Sequence, residues 1–458
     1  MSVQTSAPAS GAILALLRRL HFYIGLFVGP FLLIAALTGV LYALTPQIEE
    51  HLYAEALHTQ SRGEALPLAT QIERAQTHLA DTKLTLAAVR PAPVPGDTTR
   101  VMFSSPGLGA SEHRAVFIDP VTGEVRGDMK VYGTSGVLPL RTWIDQLHRG
   151  LLLGDVGRIY SELAASWLWV AVVGGLALWV SRRARVKQPR RNLRGWHASA
   201  GIWLAVGLLF FSATGLTWSE FAGENIGVLR AYYGWSTPNV STALGQETGQ
   251  HMHMNMDEHA EHHMPMATAA APANVAPASF DNVLATARSA GIDAKRVEIR
   301  PAATADKAWV VSEIDRSWPT QVDAVSVDPH TFKVVDHVEF AQYSLPAKLT
   351  RWGIDAHMGA LFGLANQLLL VLFASGLAAM VVVGYLMWWR RRPITGRDGT
   401  LLDAWRQAGP VTRLSVIVLA VAVGLALPVL GASLAGFVLW DVLISLRASA
   451  RPLPRSHA

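Results

Sequence analysis

Four histidines stand at matching places in a duplicated frame. Aligning His21 with His197 also aligns Arg18 with Arg194, Gly25 with Gly201, and the dipeptide Thr38-Gly39 with Thr214-Gly215. Aligning His148 with His357 pairs Trp143 with Trp352, Gly150 with Gly359, Gly154 with Gly363, Gly175 with Gly384, and Trp179 with Trp388. Ungapped agreement at so many rare residues marks a tandem duplication. Paired neutral imidazoles facing each other across a helix bundle suit an iron porphyrin with two axial ligands, and the flat ring needs glycines where helices pass close to it. A lone histidine at a span's edge has another reading, a polar residue snorkelling to the headgroups. Each glycine alone reads equally as small-residue helix packing. Arg18 and Arg194, three residues before their histidines, suit either a heme propionate or a topology signal.

Positioning these residues needs membrane helices. The chain has 458 residues, half of them apolar and only 16% charged, and several apolar runs reach the roughly 20 residues that cross a hydrocarbon core. The expected spans are 22–44, 163–181, 198–218 and 364–389, with a helical hairpin over 411–446 turned near Pro428. Basic residues precede the first span and fill the loops 182–197 and 390–410. The positive-inside rule therefore puts these loops, residues 1–21 and the tail 447–458 in the cytoplasm. The net charge of +5 then reflects topology and not a nucleic-acid partner. The first run is too long for a typical cleaved signal peptide and reads as an anchor.

Along these helices Gly39 and Gly215 fall about 27 Å from His21 and His197, at the level of the external pair. Gly175 and Gly384, late in their spans, fall conversely near the cytoplasmic pair. The expected pairing is therefore His21 with His197 and His148 with His357. Two large external segments, 45–162 and 219–363, each carry a short helix and strands around a shared turn, Asp119-Pro120-x-Thr122 and Asp328-Pro329-x-Thr331. The fold class is an α-helical integral membrane protein, a four-helix heme-binding core plus the hairpin, with two small α+β modules outside.

The chain has no cysteine, which removes cysteine-ligated iron-sulfur clusters, thiolate-ligated heme, covalent heme attachment and disulfides from consideration. Noncovalent heme b survives. A separate stretch, HMHMNMDEHAEHHMPM, offers His251, Met252, His253, Met254, Met256, His259, His262, His263, Met264 and Met266. Imidazole and thioether together favour copper; the alternative is a solvated linker. His51, His58, His78, His113, His330 and His337 show no such pattern and read as ordinary surface residues.

RRLHFYIGLFVGPFLLIAALTGVLYAL, LHRGLLLGDVGR, RGWHASAGIWLAVGLLFFSATGLTW, HMGALFGLANQ and the two VDP turns resemble the PepSY-associated transmembrane proteins of bacterial inner membranes, some of which are ferrisiderophore reductases with two b hemes. The resemblance covers roughly 17–393 and leaves the final hairpin and the His/Met stretch outside. It implies that His21, His148, His197 and His357 ligate two heme b, that the modules are PepSY-like, and that electrons reach a periplasmic metal complex, foremost a ferric siderophore. The cytoplasmic loops are too short for a flavin or nicotinamide domain, so the donor is a quinol or a separate reductase. Two other readings stand beside it: a Cu(II) reductase or copper-handling protein using the His/Met stretch, and a non-catalytic membrane receptor.

Overall fold

The structure, a computed structural model, describes residues 9–449 apart from 80–83, 106, 110, 134–135, 184–191, 245–275, 303 and 391–399. The chain opens with α1 (Ala9–Tyr23), a π-helical turn (Ile24–Val28) and α2 (Gly29–Leu52). After α3 (Ala54–Leu57) and α4 (Leu68–His78) come β1 (Thr85–Arg90), β2 (Thr99–Ser104), β3 (Glu112–Ile118) and β4 (Val125–Tyr132). Next are α5 (Pro139–Gly150), α6 (Gly154–Arg183), α7 (Leu193–Thr217) and α8 (Phe221–Tyr232). The second copy runs through α9 (Ala278–Ser289), β5 (Val297–Arg300), β6 (Trp309–Glu313), β7 (Ala324–Val327), β8 (Val334–Val338), α10 (Leu345–His357) and α11 (Gly363–Arg390). The chain closes with α12 (Leu401–Gln407), α13 (Pro410–Ala426) and α14 (Pro428–Ser449).

Among the described residues, five helices are long and apolar enough to cross a membrane: Gly11–Leu52, Gly154–Arg183, Leu193–Thr217, Gly363–Arg390 and Pro428–Arg447. The fifth of the six expected spans is the shorter apolar helix Pro410–Ala426. The first helix continues through two prolines, each of which removes an N–H and orphans a carbonyl four residues back. Side-chain hydroxyls fill both vacancies. Tyr385 donates to the Leu26 carbonyl at 2.7 Å, where Pro30 cannot, and Thr45 donates to the Tyr42 carbonyl at 2.6 Å, where Pro46 cannot. In an apolar medium an unmet carbonyl would cost several kcal/mol.

The chain divides into two units. One comprises Met1–Leu41, Gln146–Val228 and Leu369–Ala458. Its core joins Tyr23, Ile24, Val28, Leu32 and Ala36 to Ala164, Trp167, Leu168 and Val172 of α6, Ala205 and Leu208 of α7, Leu377 and Ala378 of α11, and Leu430 and Phe437 of α14. Small residues let side chains from neighbouring helices settle against backbone. A Cβ on Gly207 would overlap the Phe373 ring, and one on Gly376 the Leu204 side chain. The C-terminal hairpin belongs to this core. Trp167 donates its indole N–H to Ser433 at 2.8 Å and its ring lies 5.2 Å from that of Phe437. Glu162, fully buried, accepts from the backbone N–H of Phe221 and Ala222 and so caps α8.

The other unit comprises Tyr42–Asp145 and Leu229–Leu368. The two α+β modules share one eight-stranded antiparallel sheet in the order β4-β3-β2-β1-β5-β6-β7-β8, with β1 and β5 joined at Val89 and Ile299. They also share one core, in which Ile72, Ala75, Val89, Val101 and Val116 of the first copy meet Phe280, Val283, Ile299, Val311 and Val325 of the second. The Asp-Pro-x-Thr turns are matched hairpins. Asp119 accepts from the N–H groups of Val121 and Thr122, and Asp328 accepts from the N–H of His330 and the hydroxyl of Thr331. The fifth residue of each turn is left-handed, Gly123 at φ 73° and Phe332 at φ 54°.

Candidate functional site

His21 lies at the end of α1, just before the π-helical turn. Such a turn inserts an extra residue and rotates the helix before it relative to the helix after it, a departure common at functional sites. His197 sits in the first turns of α7, whose N-cap Asn192 accepts from Gly195 N–H through its side chain at 2.9 Å. These elements bring the two imidazoles together edge-on, with centroids 6.4 Å apart and planes at 82°. The Nδ1 of each ring is buried and completes no hydrogen bond.

The surroundings repeat the duplication. The Ala171 carbonyl of α6 faces His21, and the Met380 carbonyl of α11 faces His197. Each carbonyl belongs to the residue four before a duplicated glycine, Gly175 and Gly384. A Cβ on Gly175 would stand 3.3 Å from His21 Cε1, so only glycine leaves the ring undisturbed there. A Cβ on Gly384 would meet nothing within 4 Å. Tyr385, which sequence reasoning missed, packs on Gly29 and supplies the hydroxyl that replaces the missing Pro30 N–H. The Gly29-Pro30 pair inside an apolar helix was the available signal that some side chain had to do this.

His148, on α5, shares a hydrogen bond between its Nδ1 and Thr38 Oγ1 at 2.9 Å, and a Cβ on Gly39 would stand 3.4 Å from its Cε1. Tyr160 donates to its backbone carbonyl. Gly215 faces the methyl of Ala165 instead. His357 ends α10 in the other unit. Around that helix end, Arg141 donates to the Met358 carbonyl at 3.3 Å, Asn366 to the Ala356 carbonyl at 2.8 Å, and the buried Asp355 pairs with Arg351 at 3.0 Å and Arg316 at 3.8 Å.

Arg18 and Arg194 are exposed. His251, Met252, His253, Met254, Met256, His259, His262, His263, Met264 and Met266 lie outside the described residues. Among the described residues no three His, Asp or Glu side chains gather as a metal centre. Of the histidines read as surface residues, His58 bridges Glu50 at 2.6 Å and Asp97 at 3.0 Å, and His78 meets Asp128 at 3.1 Å. His113 and His337 are half-buried. Burial and the nearby Arg300 hold the His113 imidazole below its ordinary pKa.

The His21/His197 pair fits a bis-imidazole iron. An imidazole nitrogen bonds a first-row metal at about 2 Å, so two rings on opposite sides of one ion have centroids roughly 6 Å apart. The Ala171 and Met380 carbonyls facing the two imidazoles are the kind of partner that the second nitrogen of a ligating histidine takes.

Comparison with curated proteins found no match. Comparison with protein families matches residues 18–391 to the PepSY-associated TM region. That stretch holds both histidine-bearing copies, four of the five long apolar helices and the whole eight-stranded sheet. This membrane protein belongs to the PepSY-associated transmembrane family.

Proposed function

We propose that this protein is an inner-membrane reductase holding two heme b, which moves electrons from the cytoplasmic or quinone side to a periplasmic metal complex, foremost a ferric siderophore. The observation that carries this reading is the edge-on pair His21 and His197 at 6.4 Å, at the end of two apolar helices. His21 and His197 would hold one iron from its two faces, and His148 is a candidate ligand of the second. A bound heme supplies reversible one-electron exchange without making or breaking a bond to the substrate.

The chain's own residues do the rest. Gly175 leaves His21 room to stand upright between α1 and α6, and Thr38 with Gly39 does the same for His148. The apolar core around Trp167, Leu168 and Leu208 keeps water from the helices between them. By the positive-inside rule both termini are cytoplasmic and the sheet unit is periplasmic, which makes it the part large enough to dock a metal complex. One electron converts Fe(III) to Fe(II), and the loss of charge weakens the hard oxygen ligation that retains the ion. The electron comes from a quinol or a separate reductase.

The test is to reduce the purified protein, mix it with ferric and cupric complexes, and follow reoxidation in the Soret band. Rapid reoxidation by ferric siderophores supports the reading. Selective reoxidation by Cu(II), lost on deletion of residues 251–266, would replace the ferric substrate by copper. A protein without a Soret band would leave only a receptor.

A further inference from the structure

Asp441 is an acid with 1% exposure on the membrane-length helix α14. Burying a carboxylate at such a place is expensive, and ionisable residues there are found paired and in working positions. Its two oxygens are both engaged: Tyr23 donates its hydroxyl to one, and the Leu402 N–H of α12 donates to the other at 3.0 Å. The Arg19 guanidinium stands 3.8 Å away, lying over the Phe22 and Tyr23 rings at 5.2 and 4.6 Å. Arg19 and Tyr23 are the residues two before and two after His21. Asp441 therefore grips the helical turn that carries His21 from both sides.

The hairpin does not need this acid in order to pack. Phe437 already contacts Tyr23, Phe27 and Trp167, with ring centroids 6.0, 5.6 and 5.2 Å apart, and Trp440 contacts Phe27 at 6.0 Å. Replacing a buried ion pair by apolar residues of similar volume is often neutral or stabilising, so adhesion alone does not account for it. The hairpin also lies beyond residue 391, outside the stretch matched to the family.

We propose that the C-terminal hairpin is a working part of the His21/His197 site: the Asp441–Arg19 pair positions His21 and sets the electrostatic field at the iron held there. This rests on the heme reading above. Asp441 and Arg19 are positioning residues, and their charges act in opposite senses. A carboxylate near the iron favours the oxidised, more positive state; a guanidinium favours the reduced one.

The experiment is a spectroscopic redox titration of the purified full-length protein and its variants. The wild type comes first: a protein with no heme overturns the heme reading and this inference with it, whereas two hemes with unaltered variants overturn this inference alone. Asp441→Asn keeps a carbonyl for Leu402 and an amide for Tyr23, and its midpoint potential should rise for one heme only. Arg19→Gln should lower the potential of that same heme, and the double variant should return close to the wild type. A merely structural role would shift both single variants in the same direction, or shift neither, and either result overturns the proposal. Should Asp441→Asn fail to assemble, the double variant decides: a potential near wild type supports the charge pair, and one as low as Arg19→Gln alone refutes it.

Discussion

The two copies of the duplication keep the same frame and differ where they meet. Each copy has the histidine in the early part of its first apolar helix, the carbonyl one turn before a glycine, the Asp-Pro-x-Thr turn, and an arginine at the end of the first strand, Arg90 and Arg300. At the joint between β1 and β5 they diverge. Val89 stands opposite Ile299, so Arg90 faces residue 298 and Arg300 faces residue 88 across the local two-fold. Two copies of the first module would leave both arginines without an acid. The second copy has Glu298 where the first has Ala88, and this one carboxylate holds Arg90 and, at 2.6 Å, Arg300. Arg100, directly opposite Arg90 on β2, stacks over Phe117 and is held down to about 10 by burial and by the neighbouring Arg90 and Arg296. A difference at one position of the duplicated frame, Glu298 against Ala88, supplies the acid that both arginines share.

The glycines test the comparison most severely. If the proposed hemes are bound, Gly175→Val, which drives a side chain into His21, should remove one of them from the purified protein, whereas Gly384→Val, whose Cβ would meet no protein atom within 4 Å, should retain both. Heme-to-protein absorbance ratios read this directly, and equal losses would mean that the copies are packed alike.

Next in size is Glu298→Gln. Burial works against its charge, but Arg90 and Arg300 outweigh burial and hold the carboxyl below the usual range. Removing it leaves the buried Arg90 guanidinium uncompensated, at a cost of about 3–5 kcal/mol, seen as a lower denaturation midpoint of the sheet unit. Ala88→Glu tests the converse, adding an acid beside Arg300, and should cost far less.

The turns give smaller effects. Burial opposes the charge on Asp119, but hydrogen bonds from Ser61, Thr59, Val121 and Thr122 hold it to about 2, against an ordinary value of about 3.9. Its contribution is therefore complete above about pH 4 and disappears as the pH falls through the folded value, and it amounts to about 2 kcal/mol. Asp119→Asn should remove that acid-labile part of the unfolding free energy, and Asp328→Asn, with fewer donors, should remove less. Last, Phe332→Gly relieves a left-handed backbone but gives up contact with the core. The two effects are each about 1 kcal/mol, so the net change in unfolding free energy should stay below that.

Much of the frame was legible because duplication acts on single residues: the histidines, Gly175, the turn aspartates and the apolar runs all announce themselves by type and spacing. The hidden part depends on contacts between distant segments. Nothing local in TLAAVR or VEIR says that these strands pair, since 208 residues separate Arg90 from Glu298. Tyr23 and Asp441 are 418 residues apart, and an aspartate in an apolar run looks like an interruption until its partners are seen. The π-helical turn at Ile24–Val28 is likewise invisible to a 3.6-residue pattern, although Gly29-Pro30 marks the place where the helix must adjust.

We propose that His21 and His197 are the two ligands of one heme. Visible absorption and redox titration of purified His21→Ala and His197→Ala proteins test it directly. Each variant should lose one heme, the same one in both, and leave the other with an unchanged spectrum and potential. Loss of different hemes by the two variants, or retention of both hemes by either, would show that the two histidines do not share one iron.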